Sequence, residues 1–190
     1  VDRALPQKDR RAAGAVTARP MKELPHTHSC FVCGESNPHG LKLRFHAQGR
    51  VVTTKFRPGP EHVGFKGVVH GGLTATVLDE IMVWACVVAT RKFAYCAELN
   101  VRYLKPLAPD LEVLVTSELV ADRRGRIFEA KATVLNAAGE PLVQAAALCV
   151  RHALPVLAPR LARSLHAPGE VALAHAWAPP LLLSLQVFRN

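Results

Sequence analysis

Aromatic residues are scarce in this chain: Phe, Trp and Tyr make up 6% of its 190 residues. That is too few for a platform on which nucleic-acid bases stack. Basic runs are missing as well. The formal charge is +9, from 24 Lys and Arg against 15 Asp and Glu. It divides as +3 over residues 1–29, +4 over 30–152 and +2 over 153–190, so no segment forms a basic tract. No nucleic-acid partner is therefore expected, although a mildly basic surface suits an anionic ligand. The first residues (VDRALPQKDRR) lack the apolar core of a secretory signal, and the five cysteines, Cys30, Cys33, Cys86, Cys96 and Cys149, are odd in number. Both features argue for reduced thiols and a cytoplasmic location. An unbroken apolar run of membrane-spanning length is lacking too. The nearest stretch, 171–188, is interrupted by Pro179 and Pro180, so no membrane association is expected.

What is present is an ordinary globular composition, 49% hydrophobic and 21% charged, in a chain long enough to bury a sizeable core. Residues 1–25 are rich in Arg, Ala and Pro without periodicity and read as a flexible arm. Residues 26–152 carry the patterned sequence of one domain. Residues 153–190 form an Ala/Leu/Pro-rich tail whose prolines preclude one long helix.

Within the domain, residues 41–46 (LKLRFH) alternate and predict a half-buried strand, with 50–57 as its partner across Gln48-Gly49. Residues 58–69 hold three glycines and two prolines and predict a loop. Residues 71–89 (GGLTATVLDEIMVWACVVA) predict a helix, with Leu73, Val77, Ile81 and Ala85 recurring every four residues. It is apolar nearly all round, so a buried central helix is expected. Four strand-like runs follow, 95–105, 111–121, 126–136 and 141–151, separated by short breaks. They predict an antiparallel meander wrapped round the helix, an α+β domain.

The chemistry concentrates in VVHGGLTATVLDE, residues 68–80. Two glycines open a buried helix directly after His70. Amides at a helix start lack intrahelical partners and sit in positive potential, and glycine lets a ligand approach the backbone. Such a site can hold a carbonyl oxygen and stabilise the oxyanion formed on attack. Asp79 lies about two turns past Gly72 and faces the same side. A carboxylate on a buried apolar helix needs a reason; it can activate water or attack a carbonyl itself. Gly71 and Asp79 are eight residues apart, about 12 Å along a helix. If both act on one carbonyl, a second subunit must supply one of them.

Residues 62–80 (HVGFKGVVHGGLTATVLDE) resemble the signature of the hotdog-fold thioesterases, the phenylacetate-pathway type within the 4-hydroxybenzoyl-CoA thioesterase superfamily. The segments 96–107 (CAELNVRYLKPL) and 30–45 (CFVCGESNPHGLKLRF) are similar to theirs as well, and the resemblance covers about residues 28–152. It implies a hotdog fold, one long helix wrapped by an antiparallel sheet, paired into a homodimer or a dimer of dimers. It implies hydrolysis of an acyl-CoA thioester, with no cofactor beyond the coenzyme A of the substrate. Asp79 then matches the catalytic acid, the Gly71 amide the oxyanion donor, and His70 the histidine of the motif, orienting substrate or water. Cys96 stands where relatives usually place Ser or Thr to position water. Gly64 stands where some relatives have Asn, and His62 is the nearby substitute. Gly72 adjoins the substrate, and Arg102, Lys105, Arg123, Arg124 and Arg126 are candidates for the phosphates of coenzyme A.

Each reading has a rival. Asp79 can be a structural acid, Glu80 the acting one, His70 a helix cap, and the Arg123–Arg126 region a solvated hairpin tip. Cys86 and Cys149 read as small buried apolar residues. Cys30-x-x-Cys33 with His26 and His28 invites a zinc reading, but a single such pair is weak evidence. The expectation is a tight turn without metal. At the level of function, the rivals are a hydratase or dehydratase on the same thioesters and a non-catalytic acyl-CoA binder.

Overall fold

The computed structural model describes residues 20–152. The tail expected over 153–190, and all but the end of the arm expected over 1–25, lie outside the described residues. The strands are β1 (Lys22–Glu23), β2 (His46–Gln48), β3 (Val51–Phe56), β4 (Val63–Phe65), β5 (Val68–Val69), β6 (Ala94–Tyr103), β7 (Val113–Arg123), β8 (Ile127–Leu135) and β9 (Pro141–Arg151). One helix, α1 (Gly71–Thr90), stands between β5 and β6. Seven strands make one antiparallel sheet in the order β1-β2-β3-β7-β8-β9-β6, and β4 and β5 form a separate small hairpin.

Helix α1 packs on β3, β6, β7, β8 and β9. Its length and mean hydropathy of 1.6 would suit a membrane span, but here the sheet covers it. Val77, Leu78, Ile81, Met82, Ala85 and Cys86 are buried against Val52, Val115, Phe128, Val134, Val143 and Cys149. This is the expected arrangement, with about half of the helix's apolar window buried within the chain. The helix ends at Arg91, in the left-handed region (φ 60°), whose N–H donates to the Val87 carbonyl. Leu78 is fully buried. Leu78→Ala should therefore destabilise the fold by about 2–5 kcal/mol, read as a lowered urea midpoint with an unchanged slope.

Three expectations need correction. The four runs after the helix do not form one meander. β7, β8 and β9 do, but β6 pairs with β9 and β3 with β7. Between β6 and β7, Pro106 and Pro109 stand in a connection too long and donor-poor for a tight hairpin. That connection is anchored instead to the loop before the helix: Val69 N–H donates to Leu107 O (2.8 Å) and Asp110 N–H to Pro58 O (2.7 Å). β6 is thereby left at the sheet edge.

Residues 41–45 are not a sheet strand. Lys42 adopts φ 53°, and the Leu41 and Leu43 amides donate to Phe31 and Val32 carbonyls. The face was still legible, because Leu43 and Phe45 are buried. Finally, residues 22–24 belong to the domain rather than the arm. Lys22 and Glu23 pair with Ala47 and His46, and Leu24 is buried.

Candidate active site

The start of α1 is built by His70. Its backbone is extended (φ −60°, ψ 126°) and its Nδ1 accepts from the Gly72 amide at 3.0 Å. The His70 carbonyl accepts from Leu73 (3.0 Å) and Thr74 (3.3 Å). Of the first four helical amides, only that of Gly71 has no partner among the described residues. The position is tight: a Cβ on Gly71 would lie 3.2 Å from the Tyr103 ring, which would have to give by a few tenths of an ångström. The Tyr103 hydroxyl donates to the Gly71 carbonyl at 2.7 Å. Tyr103 comes from the far end of β6, and sequence reasoning missed it. Its place within Asn-Val-Arg-Tyr-Leu-Lys-Pro was noted, but nothing in the spacing says which β6 residue crosses the helix start.

His70, as placed, is a helix cap. With Nδ1 accepting, its neutral ring carries the proton on Nε2, which points a donor away from the cap. His62 is also engaged, its Nδ1 accepting from the Gly59 amide at 2.8 Å. That leaves its Nε2 as the ring atom for the role Gly64 cannot play. Gly64 itself has a steric reason, since a Cβ there would lie 3.0 Å from His70 Cδ2 and 3.1 Å from its Cα.

Asp79 faces β6. Its Oδ1 is buried and has no hydrogen-bond partner among the described residues. Such a group is costly to keep unless something else in its working life binds it. Beside it stands Cys96. Burial first, and then the Asp79 carboxylate, push the Cys96 thiol up to about 12. At neutral pH it is a protonated thiol and a poor nucleophile. Its Sγ reaches the Glu98 carbonyl at 3.4 Å. The β6–β9 register shifts between Cys96 and Glu98, and a bulge of this kind turns the chain locally.

Glu80 points elsewhere. It meets the turn at 30–33, with Oε1 at 3.4 Å from Cys33 Sγ and 3.9 Å from Cys30 Sγ. Burial, then the charge of Cys30, raise its carboxyl to about 7. The two neighbouring acids thus serve different surroundings, Asp79 towards β6 and Glu80 towards the cysteine turn. Met82 and Trp84, further along the same helix, are buried in the chain's own core.

The basic candidates do not converge within one chain. Arg102 and Lys105 flank Tyr103 at the end of β6, with Arg102 opposite Gln144. Arg123, Arg124 and Arg126 lie at the β7–β8 turn, where Ile127 is opposite Val150. Six residues along β9 separate these ends, about 20 Å. Lys105 is paired with Glu140 at 3.0 Å and Arg123 with Glu129.

Within one chain, then, an amide with no partner among the described residues and an acid with one buried, unpartnered oxygen stand at separate places along one helix, each against the edge strand β6. Residues 66–140 match the Thioesterase superfamily. That thioesterase-superfamily segment holds His70, Gly71, Gly72, Asp79 and Cys96 and all the basic candidates, while His62 and the cysteine turn precede it. Human acyl-coenzyme A thioesterase 13 is 25% identical over 99 residues, 52% of this chain and 70% of that protein. A thioesterase superfamily protein of known crystal structure is 24% identical, with a TM-score of 0.61 over 65% of this chain and 60% of its own. This chain thus spans less than two thirds of that neighbour. A Streptococcus mutans protein crystallised with acetyl CoA is 20% identical, with a TM-score of 0.51 over 54% of this chain and 81% of its own. The fold is the α+β hotdog expected from the sequence.

Proposed function

We propose that this protein hydrolyses acyl-CoA thioesters to the free acid and CoA, and that it is a thioesterase of the phenylacetate-pathway type. The observation that carries the reading is the buried Asp79 Oδ1 without a partner. A carboxylate held ready in this way suits a general base for water, or a nucleophile towards the thioester carbonyl. The Gly71 amide, first in the helix and without a partner among the described residues, suits the oxyanion. As Asp79 takes a proton from water, the water oxygen bonds to the carbonyl carbon and the amide takes up the negative charge on the carbonyl oxygen; the C–S bond then breaks, and the departing CoA thiolate receives that proton back from Asp79. Cys96, a neutral thiol beside Asp79, is a positioning group rather than the nucleophile. The neighbour crystallised with acetyl CoA supports the substrate class, and Arg102 and Arg126, both exposed, are suited to phosphate.

In this reading the working unit is a homodimer, or a dimer of dimers, in the cytoplasm. One subunit supplies Asp79 and the other the Gly71 amide, because about 12 Å of helix lies between them. Supporting this is β6, which has one open edge and of whose ten residues only Ala94 is buried. Phe65, 82% exposed on the β4–β5 hairpin, adds apolar surface.

The test is thiol release from short, long and aromatic acyl-CoAs, followed with a thiol-reactive dye, with the oligomeric state measured by sedimentation. Turnover by a dimer is expected. Tight acyl-CoA binding without thiol release would replace hydrolysis by a binding role. Hydration of an enoyl-CoA without thiol release would replace it by hydratase chemistry.

A further inference from the structure

The turn before the sheet carries chemistry that thioester hydrolysis does not use. Cys30, Cys33 and Glu80 bring two sulfurs and a carboxylate oxygen within 4.8 Å of one another. Cys33 is 1% exposed. The backbone is shaped to present both sulfurs. Val32 N–H donates to Cys30 Sγ at 3.2 Å, and Gly34 N–H to the Cys30 carbonyl at 3.0 Å. Only glycine fits at position 34, since a Cβ would lie 2.4 Å from the Cys30 carbonyl oxygen. The Cys30 amide is held by Thr27 Oγ1 at 3.1 Å.

The separations are those of a metal's coordination shell. A tetrahedral zinc, with bonds of about 2.3 Å to sulfur and about 2.1 Å to oxygen, sets S···O edges of about 3.6 Å. The two observed S···O distances, 3.4 and 3.9 Å, bracket that value. The charges point the same way. Glu80 has no cationic side chain as partner among the described residues; its neighbours are two thiols, the Trp84 indole, which donates a hydrogen bond to it, and another acid, Asp79.

We infer that Cys30, Cys33 and Glu80 form a zinc site that ties the turn at 30–33 to the central helix, with water at the fourth corner. The ligand set differs from the one the sequence suggests. His28 is exposed, and His26 Nε2 is paired with Glu35 at 2.9 Å; the third ligand comes instead from a helix residue about fifty positions away. On binding, the thiols enter as thiolates and their protons pass to solvent, so affinity rises with pH. The site adjoins Asp79 in sequence and neutralises charge next to it.

The experiment uses the full chain, stripped with a chelator under reducing conditions and refilled with zinc chloride. One zinc per chain by elemental analysis is expected, with release of protons on uptake. Cobalt in its place should give thiolate-to-metal charge transfer and the ligand-field bands of a tetrahedral centre. Cys33→Ser and Glu80→Gln should each weaken zinc by more than the ~10–100-fold typical of losing an outer-shell partner. No stoichiometric zinc in the reduced, refilled wild type overturns the site. So does Glu80→Gln binding with unchanged affinity, which would leave only a surface dithiol. Should either variant fail to fold, the cobalt spectrum of the wild type decides, because an octahedral spectrum without thiolate charge transfer excludes it.

Discussion

Asp79→Asn should abolish thioester turnover, lowering kcat by about 10²–10⁴-fold, the range of a lost general base, or by more if Asp79 attacks directly. The substitution keeps the side-chain volume and removes the charge, so a fold control by thermal melting should differ little. A second readout is independent of activity. The Cys96 thiol is held up near 12 partly by the Asp79 carboxylate. Removing a negative neighbour favours the thiolate, so the Cys96 pKa should fall in Asp79→Asn, seen as faster alkylation at a given pH. Wild-type turnover in the mutant would remove Asp79 from the mechanism. An unmoved Cys96 would show that the carboxylate does not face β6.

Gly71→Pro should lower kcat by about 10²–10³-fold, the usual effect of deleting one oxyanion donor. Proline is chosen because it removes the amide N–H; its ring also meets Tyr103, a steric effect that needs its own control. It is tolerated at the first helical position, and His70 already has the extended backbone that a residue before proline requires. Gly71→Ala is the control. It retains the N–H and places a Cβ against Tyr103, so it reports the steric part alone and should lose much less.

The two substitutions also test the shared site when combined in different chains. In a mixed dimer of Asp79→Asn and Gly71→Pro subunits, one site joins the intact acid of one chain to the intact amide of the other. Random mixing of equal amounts should restore about a quarter of wild-type activity, because half the dimers are mixed and each has one working site of two. No recovery on mixing, with dimers exchanging, would place acid and amide in the same chain.

How much of this was legible in the sequence depends on how local the signal is. Helix α1 and its cap were readable because they rest on contacts three or four residues apart. The periodic apolar stripe, the opening His-Gly-Gly and the lone acids all lie within one turn or two of each other. The strands β7, β8 and β9 were readable from alternation and their short breaks. The strand expected at 41–46 failed because alternation reports which face is buried, not whether the backbone pairs in a sheet; one left-handed residue, Lys42, redirected its hydrogen bonds.

Sequence alone, then, determined the α+β architecture, the position of the helix, and the candidates Asp79 and Gly71, since each follows from local spacing and from the cost of burying a carboxylate. Tertiary structure decided the rest. It placed β6 at the edge beside β9 and set Tyr103 over the helix start. It also sent Glu80, one residue from Asp79, to the two cysteines. The physical reason is the same in each case: these partners are far apart in sequence, and strand order and side-chain direction are chosen by packing over the whole domain, which no local pattern encodes.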